Sequence, residues 1–74
     1  MPHVSIKHFP AVLNEEQASE LVSAITEAVT KAFGCKEDVV SIALEPVEPA
    51  AWQDQVYAPE IVERKHLLHK TPSY

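Results

Sequence analysis

The stretch NEEQASELVSAITEAVTKAFG, residues 14–34, decides the fold. Ala18, Leu21, Val22, Ile25, Ala28, Val29 and Ala32 recur in it at spacings of three and four, which lines up one apolar stripe along an α-helix. Asn14 suits the N-cap, and Gln17 three residues later can reach back to it as a capping box, while Glu15 and Glu16 suit the positive helix end. Gly34, the only glycine, follows the last periodic residues and closes the helix at low steric cost. On the N-terminal side, Val4, Ile6 and His8 alternate with His3, Ser5 and Lys7, the period of a half-buried strand, until Phe9-Pro10. On the other side, Val39 to Glu45 reads as a second strand, with Val40, Ile42 and Leu44 on one face and Val39, Ser41 and Ala43 on the other. Pro46 and Pro49 stop it.

Strand, long helix and strand form a β-α-β unit, so the two strands are expected to lie parallel with a right-handed crossover, in an α/β (α+β) fold. Beyond the unit, residues 50–56 hold a short turn around Trp52. Pro59 then suits the first position of an added C-terminal helix carrying Ile61, Val62, Leu67 and Leu68, ended by Thr71-Pro72. No repeat, low-complexity segment or linker divides the chain, so residues 1–74 read as a single domain.

A chain of 74 residues buries only about 60% of its unfolded surface, and its core needs supplementing. The lone Cys35 makes no internal disulfide, and no Cys/His pairs have zinc-finger spacing. An apolar content of 46% is that of a folded protein, which leaves association with other copies as the supplement. The helix covers one sheet face only, so packing of the open faces between subunits is expected, with the start of the first strand near the interface. The net charge of −5, with no Lys/Arg cluster, excludes nucleic acid as a partner. No apolar run reaches the roughly 18 residues of a membrane span, and no basic region precedes an apolar one at the amino terminus. The expected compartment is a reducing cytoplasm.

Pro2 is the first candidate for chemistry. Met1 precedes a small residue, and its removal exposes a secondary amine held at the head of a strand by a fixed φ. A terminal α-amino group titrates near 8 without perturbation, against about 10.4 for lysine. An apolar surrounding lowers the value further, towards the neutral pH at which a general base works best. On residue type alone, the stronger reading is that Pro2 does no more than begin an edge strand and permit methionine removal.

Other constellations carry less. His66 and His69 are three apart on the expected C-terminal helix, but no third metal ligand accompanies them, and a solvated face beside Lys65 and Lys70 is the simpler reading. His8 reads as a core histidine with one hydrogen-bond partner. His3, on the opposite face and next to the base, can tune it electrostatically. Cys35 sits at the end of a helix that does not activate a thiolate. Glu45 and Glu48 flank Pro46 as solvated charges.

Across nearly the whole chain, the opening Met1-Pro2-His3-Val4-Ser5-Ile6-Lys7, Phe9-Pro10, Asn14-Glu15-Glu16-Gln17, Ser41-Ile42-Ala43-Leu44, Glu45-Pro46, Trp52-Gln53 and the ending Lys70-Thr71-Pro72-Ser73-Tyr74 resemble the tautomerase superfamily. The likeness is to its 4-oxalocrotonate tautomerase-like members of the PptA-type branch. The resemblance implies short β-α-β subunits in which Pro2 shuttles a proton between the positions of an enol or dienol and returns it as a ketone, with no cofactor and no metal. The implied substrates are small 2-hydroxy-dienoate or aryl-pyruvate enols. Better-known members bind substrate through two arginines, one just before the long helix and one early in the second strand. Here those places hold Ala11-Val12-Leu13 and Ser41, and the only arginine is Arg64. A monocarboxylate with an aromatic body therefore fits better than a dicarboxylate. By the same resemblance Trp52 takes the aromatic position that walls the site, and Ser41 can donate a hydrogen bond to substrate. A homodimer is expected over a hexamer, because the C-terminal helix occupies surface that shorter relatives use for further assembly. The alternatives are a non-catalytic binding subunit of the same fold, or a proline-dependent hydratase, dehalogenase or decarboxylase.

Overall fold

The computed structural model describes residues 1–74. Strand β1 spans His3–His8, helix α1 Glu15–Phe33, strand β2 Ser41–Pro46 and a short helix α2 Pro49–Trp52, which runs on into a π-helical segment, Gln53–Val62. Single 3-10 turns occupy Glu37–Val39 and Lys65–Leu67.

Helix α1 begins and ends where its sequence demands. The Asn14 side chain accepts the Gln17 backbone N–H at 2.7 Å, and the Gln17 side chain accepts the Asn14 N–H at 3.1 Å, which completes the capping box. At the other end Gly34 adopts φ 64°, the left-handed conformation, and its N–H reaches the Thr30 carbonyl.

The strands pair in parallel, with His3 opposite Ser41, Ile6 opposite Leu44 and His8 opposite Pro46. Two bonds extend the ladder, from the Ser41 N–H to the Pro2 carbonyl at 3.2 Å and from the Val47 N–H to the His8 carbonyl at 2.7 Å. Val4, Ile6, Ile42 and Leu44 are half-buried on the face towards α1, whereas His3, Ser5, Ser41 and Ala43 are exposed on the other. The second strand starts two residues later than expected, because Val39 belongs to a 3-10 turn, and it runs through Pro46.

The C-terminal helix differs more. Pro49, not Pro59, occupies the first helical turn, and Pro59 lies inside the π-helical segment. In an α-helix, an interior proline removes one hydrogen bond and presses its ring on the carbonyl four residues back. The wider winding moves the bonds to the fifth residue, as in the 3.0 Å bond from the Glu63 N–H to the Ala58 carbonyl. Leu67 and Leu68 consequently fall beyond this helix.

This segment is tied back to the sheet by charge. Lys7 Nζ lies 3.0 Å from Glu60 Oε2, and Arg64 lies 3.5 Å from Oε1 of the same carboxylate. The hydrogen bond and charge of Lys7, with a smaller contribution from Arg64, hold the Glu60 carboxyl below its ordinary value. The apolar contacts beneath are few. Val47 and Val56, where β2 hands over to the C-terminal segment, are the only buried residues, and Phe9, Leu13, Phe33 and Leu67 are exposed.

Two outcomes follow from these features. A Cβ at position 34 meets no atom within 4 Å, so Gly34→Ala is expected to cost only its backbone strain, about 1–2 kcal/mol by denaturant unfolding, and Gly34→Asn less. Glu60 has a lowered folded pKa, so its contribution is complete above the ordinary carboxylate range and disappears as pH falls through the folded value. Melting temperatures measured from pH 7 down to pH 3 should show a shallower acid decline for Glu60→Gln than for the parent protein.

Candidate functional site

In a β-α-β unit the helix runs back against the strand before it, so the last turns of α1 return to the start of β1. That return shapes the surroundings of Pro2. The residue is half-buried and, with Met1 still attached, lies in an open recess of about 490 Å³ lined by Met1, His3, Val4, Val29, Phe33 and Cys35. The recess is mostly apolar, the kind of surrounding that disfavours an ammonium ion. The Pro2 carbonyl is held by the Ser41 N–H, so the ring is anchored to β2 as well as to its own strand.

Parallel register sets His3 and Ser41 opposite each other, and strand alternation turns both side chains to the open face. His3 Nδ1 lies 2.6 Å from Ser41 Oγ. One hydrogen bond joins them in either of two senses. The hydroxyl donates to a bare Nδ1, or a protonated Nδ1 donates to the hydroxyl oxygen and leaves the hydroxyl proton free for another acceptor.

Trp52 lies elsewhere in the same chain. Its ring meets Phe9 edge to face, with centroids 5.0 Å apart and an interplanar angle of 84°. At about 3.3 Å per residue, the length of β1, roughly 20 Å, separates Phe9 from Pro2. Trp52 lines one recess of about 470 Å³ with Lys7, Val56, Glu60 and Arg64, and a second of about 520 Å³ with Lys7, His8, Phe9 and Tyr74. Neither includes Pro2. Within one chain the apolar wall beside Pro2 is made by Val29 and Phe33, and Trp52 takes no part in it.

Sequence reasoning passed over the convergence of Lys7 and Arg64 on Glu60. The spacing of four between Glu60 and Arg64 signals one half of it. Lys7, 53 positions away, carries no local signal. His66 lies in a 3-10 turn and His69 beyond it, so the two share no helix face. The chain holds no group of three or more His, Cys, Asp or Glu residues able to bind a metal ion. His8 is half-buried, outside the core of Val47 and Val56, with Nδ1 donating to the carbonyl of the adjacent Phe9 at 2.7 Å. Cys35 is half-buried at the C-terminal end of α1. Glu45 and Glu48 are exposed. No helix is long and apolar enough to cross a membrane.

The family described as tautomerase enzyme matches residues 2–58 of the chain. Over 74 residues, all of this chain and 97% of the relative, it is 46% identical to Tautomerase PptA of Klebsiella pneumoniae. Over the same extents it is 42% identical to Tautomerase PptA of an Enterobacter species and 36% identical to that of Pectobacterium carotovorum. The match to the family begins at Pro2 and takes in both strands, α1 and Trp52. With relatives of the same name aligned from end to end, the chain belongs to the tautomerase family and is an isomerase.

Proposed function

We propose that the protein interconverts the enol and keto forms of small 2-oxo acids, with Pro2, freed by removal of Met1, as base and then acid. The observation that carries this reading is the seat of Pro2, a half-buried ring in a recess with Val4, Val29 and Phe33. An amine there starts from about 8, and loss of water around its charged form lowers it. Neutral proline then accepts a proton near pH 7, and the ammonium returns it to the substrate carbon. The ring sits on backbone held by the Ser41 N–H, so its lone pair has a set direction and little entropy to lose.

Substrate selection follows from charge. With no arginine before α1 and Ser41 in β2, no fixed pair of cations flanks Pro2, and a second substrate carboxylate would enter without a partner. An aryl-pyruvate enol or a 2-hydroxy-dienoate with one carboxylate meets fewer unpaired charges. Ser41 offers it a hydrogen bond and Trp52 an apolar wall. Because β1 separates Trp52 from Pro2 in one chain, the wall at each Pro2 comes from another copy. The subunit therefore works as a homo-oligomer, with residues 1–74 acting as one domain. A dimer is the state favoured, since the segment from Pro49 to Val62 covers surface that further assembly would need. The acidic chain and its single cysteine suit the cytoplasm.

Ketonisation of enol-phenylpyruvate from pH 5 to 9 tests the mechanism. The methionine-processed protein should gain activity through a single ionisation below that of an ordinary α-amine, and Pro2→Ala should lose at least 100-fold in kcat. Intact mass must show loss of Met1. A retained methionine turns the amine into an amide and ends every mechanism based on Pro2, as does an equal rate in the variant. Sedimentation should find dimers, and hexamers would overturn the assembly proposed.

A further inference from the structure

A proton leaving the enol hydroxyl needs a path to the base, and the sheet supplies one beside Pro2. We infer that Ser41 and His3 form a relay that carries the substrate's hydroxyl proton to Pro2, Ser41 touching the substrate oxygen and His3 positioning and receiving from Ser41. The inference rests on Pro2 being the base. Three observations support it. His3 Nδ1 and Ser41 Oγ are 2.6 Å apart, a short bond for an imidazole and a hydroxyl. Ser41 is also joined to Pro2 through its own N–H, and His3 is the next residue after Pro2, so all three groups lie at one end of the sheet. His3 joins the two sides of the strand, since it bonds Ser41 on the face that α1 leaves open and also lines the recess that holds Pro2.

The protons balance without a co-reactant. The enol O–H bond breaks and its proton goes to Ser41 Oγ, while the Ser41 hydroxyl proton goes to His3 Nδ1. The imidazolium gives its Nε2 proton to the neutral Pro2 nitrogen, directly or through one water, and the exposed ring regains the bare-Nδ1 tautomer by proton exchange with water before the next turnover. The resulting ammonium forms the new C–H bond as the oxygen becomes a carbonyl. Run backwards, protonated Nδ1 donates to Oγ, and the Ser41 hydroxyl donates to the carbonyl. The two senses of the His3–Ser41 bond are thus the two ends of one transfer. Imidazole is the side chain suited to such a transfer, because its ordinary charge change falls between pH 5 and 8.

Steady-state ketonisation of enol-phenylpyruvate by the processed protein tests this with variants that differ by one group. Ser41→Thr and Ser41→Val have nearly the same shape and strand preference, and only threonine keeps the hydroxyl. Threonine should stay within a few-fold of the parent, whereas valine and His3→Gln should each lose about 100-fold in kcat with little change in KM. A His3→Gln, Ser41→Val double variant should be no slower than the worse single one, as parts of one relay require. Added imidazole should restore rate to His3→Ala, which a merely structural role for His3 would not allow. The relay is overturned if valine equals threonine, or if imidazole restores nothing. Pro2→Ala separates the two claims. If it keeps full activity the base itself is wrong, whereas its failure beside unaffected His3 and Ser41 variants removes the relay alone.

Discussion

The parallel pairing of β1 with β2 is the constraint from which the rest of the molecule follows. Parallel neighbours need a crossover, and the nineteen-residue α1 provides it, running back so that Val29 and Phe33 arrive beside Pro2. The register then decides which side chains meet. With His3 opposite Ser41, an imidazole and a hydroxyl come to bonding distance on the open face, and the Ser41 N–H closes on the Pro2 carbonyl. A slip of one residue would turn Ser41 towards α1 and replace it opposite His3 with Ile42 or Val40, because side chains alternate with a period of two. The chemistry proposed for the amino terminus therefore depends on hydrogen bonds made along the whole length of a two-stranded ladder.

Much of this was legible in the residues, and the division has physical causes. The limits of α1 could be read because its signals are local: Asn14 and Gln17 meet within one turn, and Gly34 meets its own conformational need. Alternation exposed β1 and most of β2, and the order strand, helix, strand fixed their direction. The C-terminal segment escaped because Pro49 and Pro59 carry the same signal for a first helical turn, and nothing nearby decides between them. Its π winding also breaks the 3.6-residue period by which an apolar face is recognised. Contacts between distant positions escaped for a different reason. Periodicity assigned His3 and Ser41 each to a face, but only a register makes them partners, and Lys7 meets Glu60 only once the C-terminal segment is seen to fold back. Trp52 and Ser41 came from family resemblance, and the structure sets one beside Pro2 and the other a strand's length away.

Burial explains why one chain is an unfinished object. Hydrophobic stabilisation grows by about 25 cal/mol for each Å² of apolar surface removed from water. A subunit in which Val47 and Val56 are the only buried side chains, while Phe9, Leu13 and Phe33 remain exposed, has used little of what it carries. Helix α1 makes the same point, since Leu21 and Val22 belong to its apolar stripe yet stay exposed. The sheet face away from α1 meets the C-terminal segment only towards Lys7, through Glu60, and stays exposed at His3 and Ser41. The homo-oligomer proposed would cover these surfaces, symmetric pairing burying the same patch on both copies.

In the function proposed, assembly and catalysis become one requirement. A base built from a chain end has no side-chain stem with which to reach a pocket, so the pocket must be brought to it. Part of it comes from the subunit's own α1, through Val29 and Phe33, at the closed side of Pro2. The open side, where His3 and Ser41 stand, faces water in an isolated chain, and water both solvates an ammonium and competes for every hydrogen bond a substrate could make. In the homo-oligomer proposed, a second subunit laid over that face removes the water and can bring the aromatic pair Trp52 and Phe9, at the far end of its own β1. On the mechanism proposed, the recess that α1 builds against Pro2 disfavours the ammonium ion in one subunit, and an interface closing over the open side adds to that effect. The apolar surface that makes the single subunit marginal is, on this account, the same surface that tunes its proline.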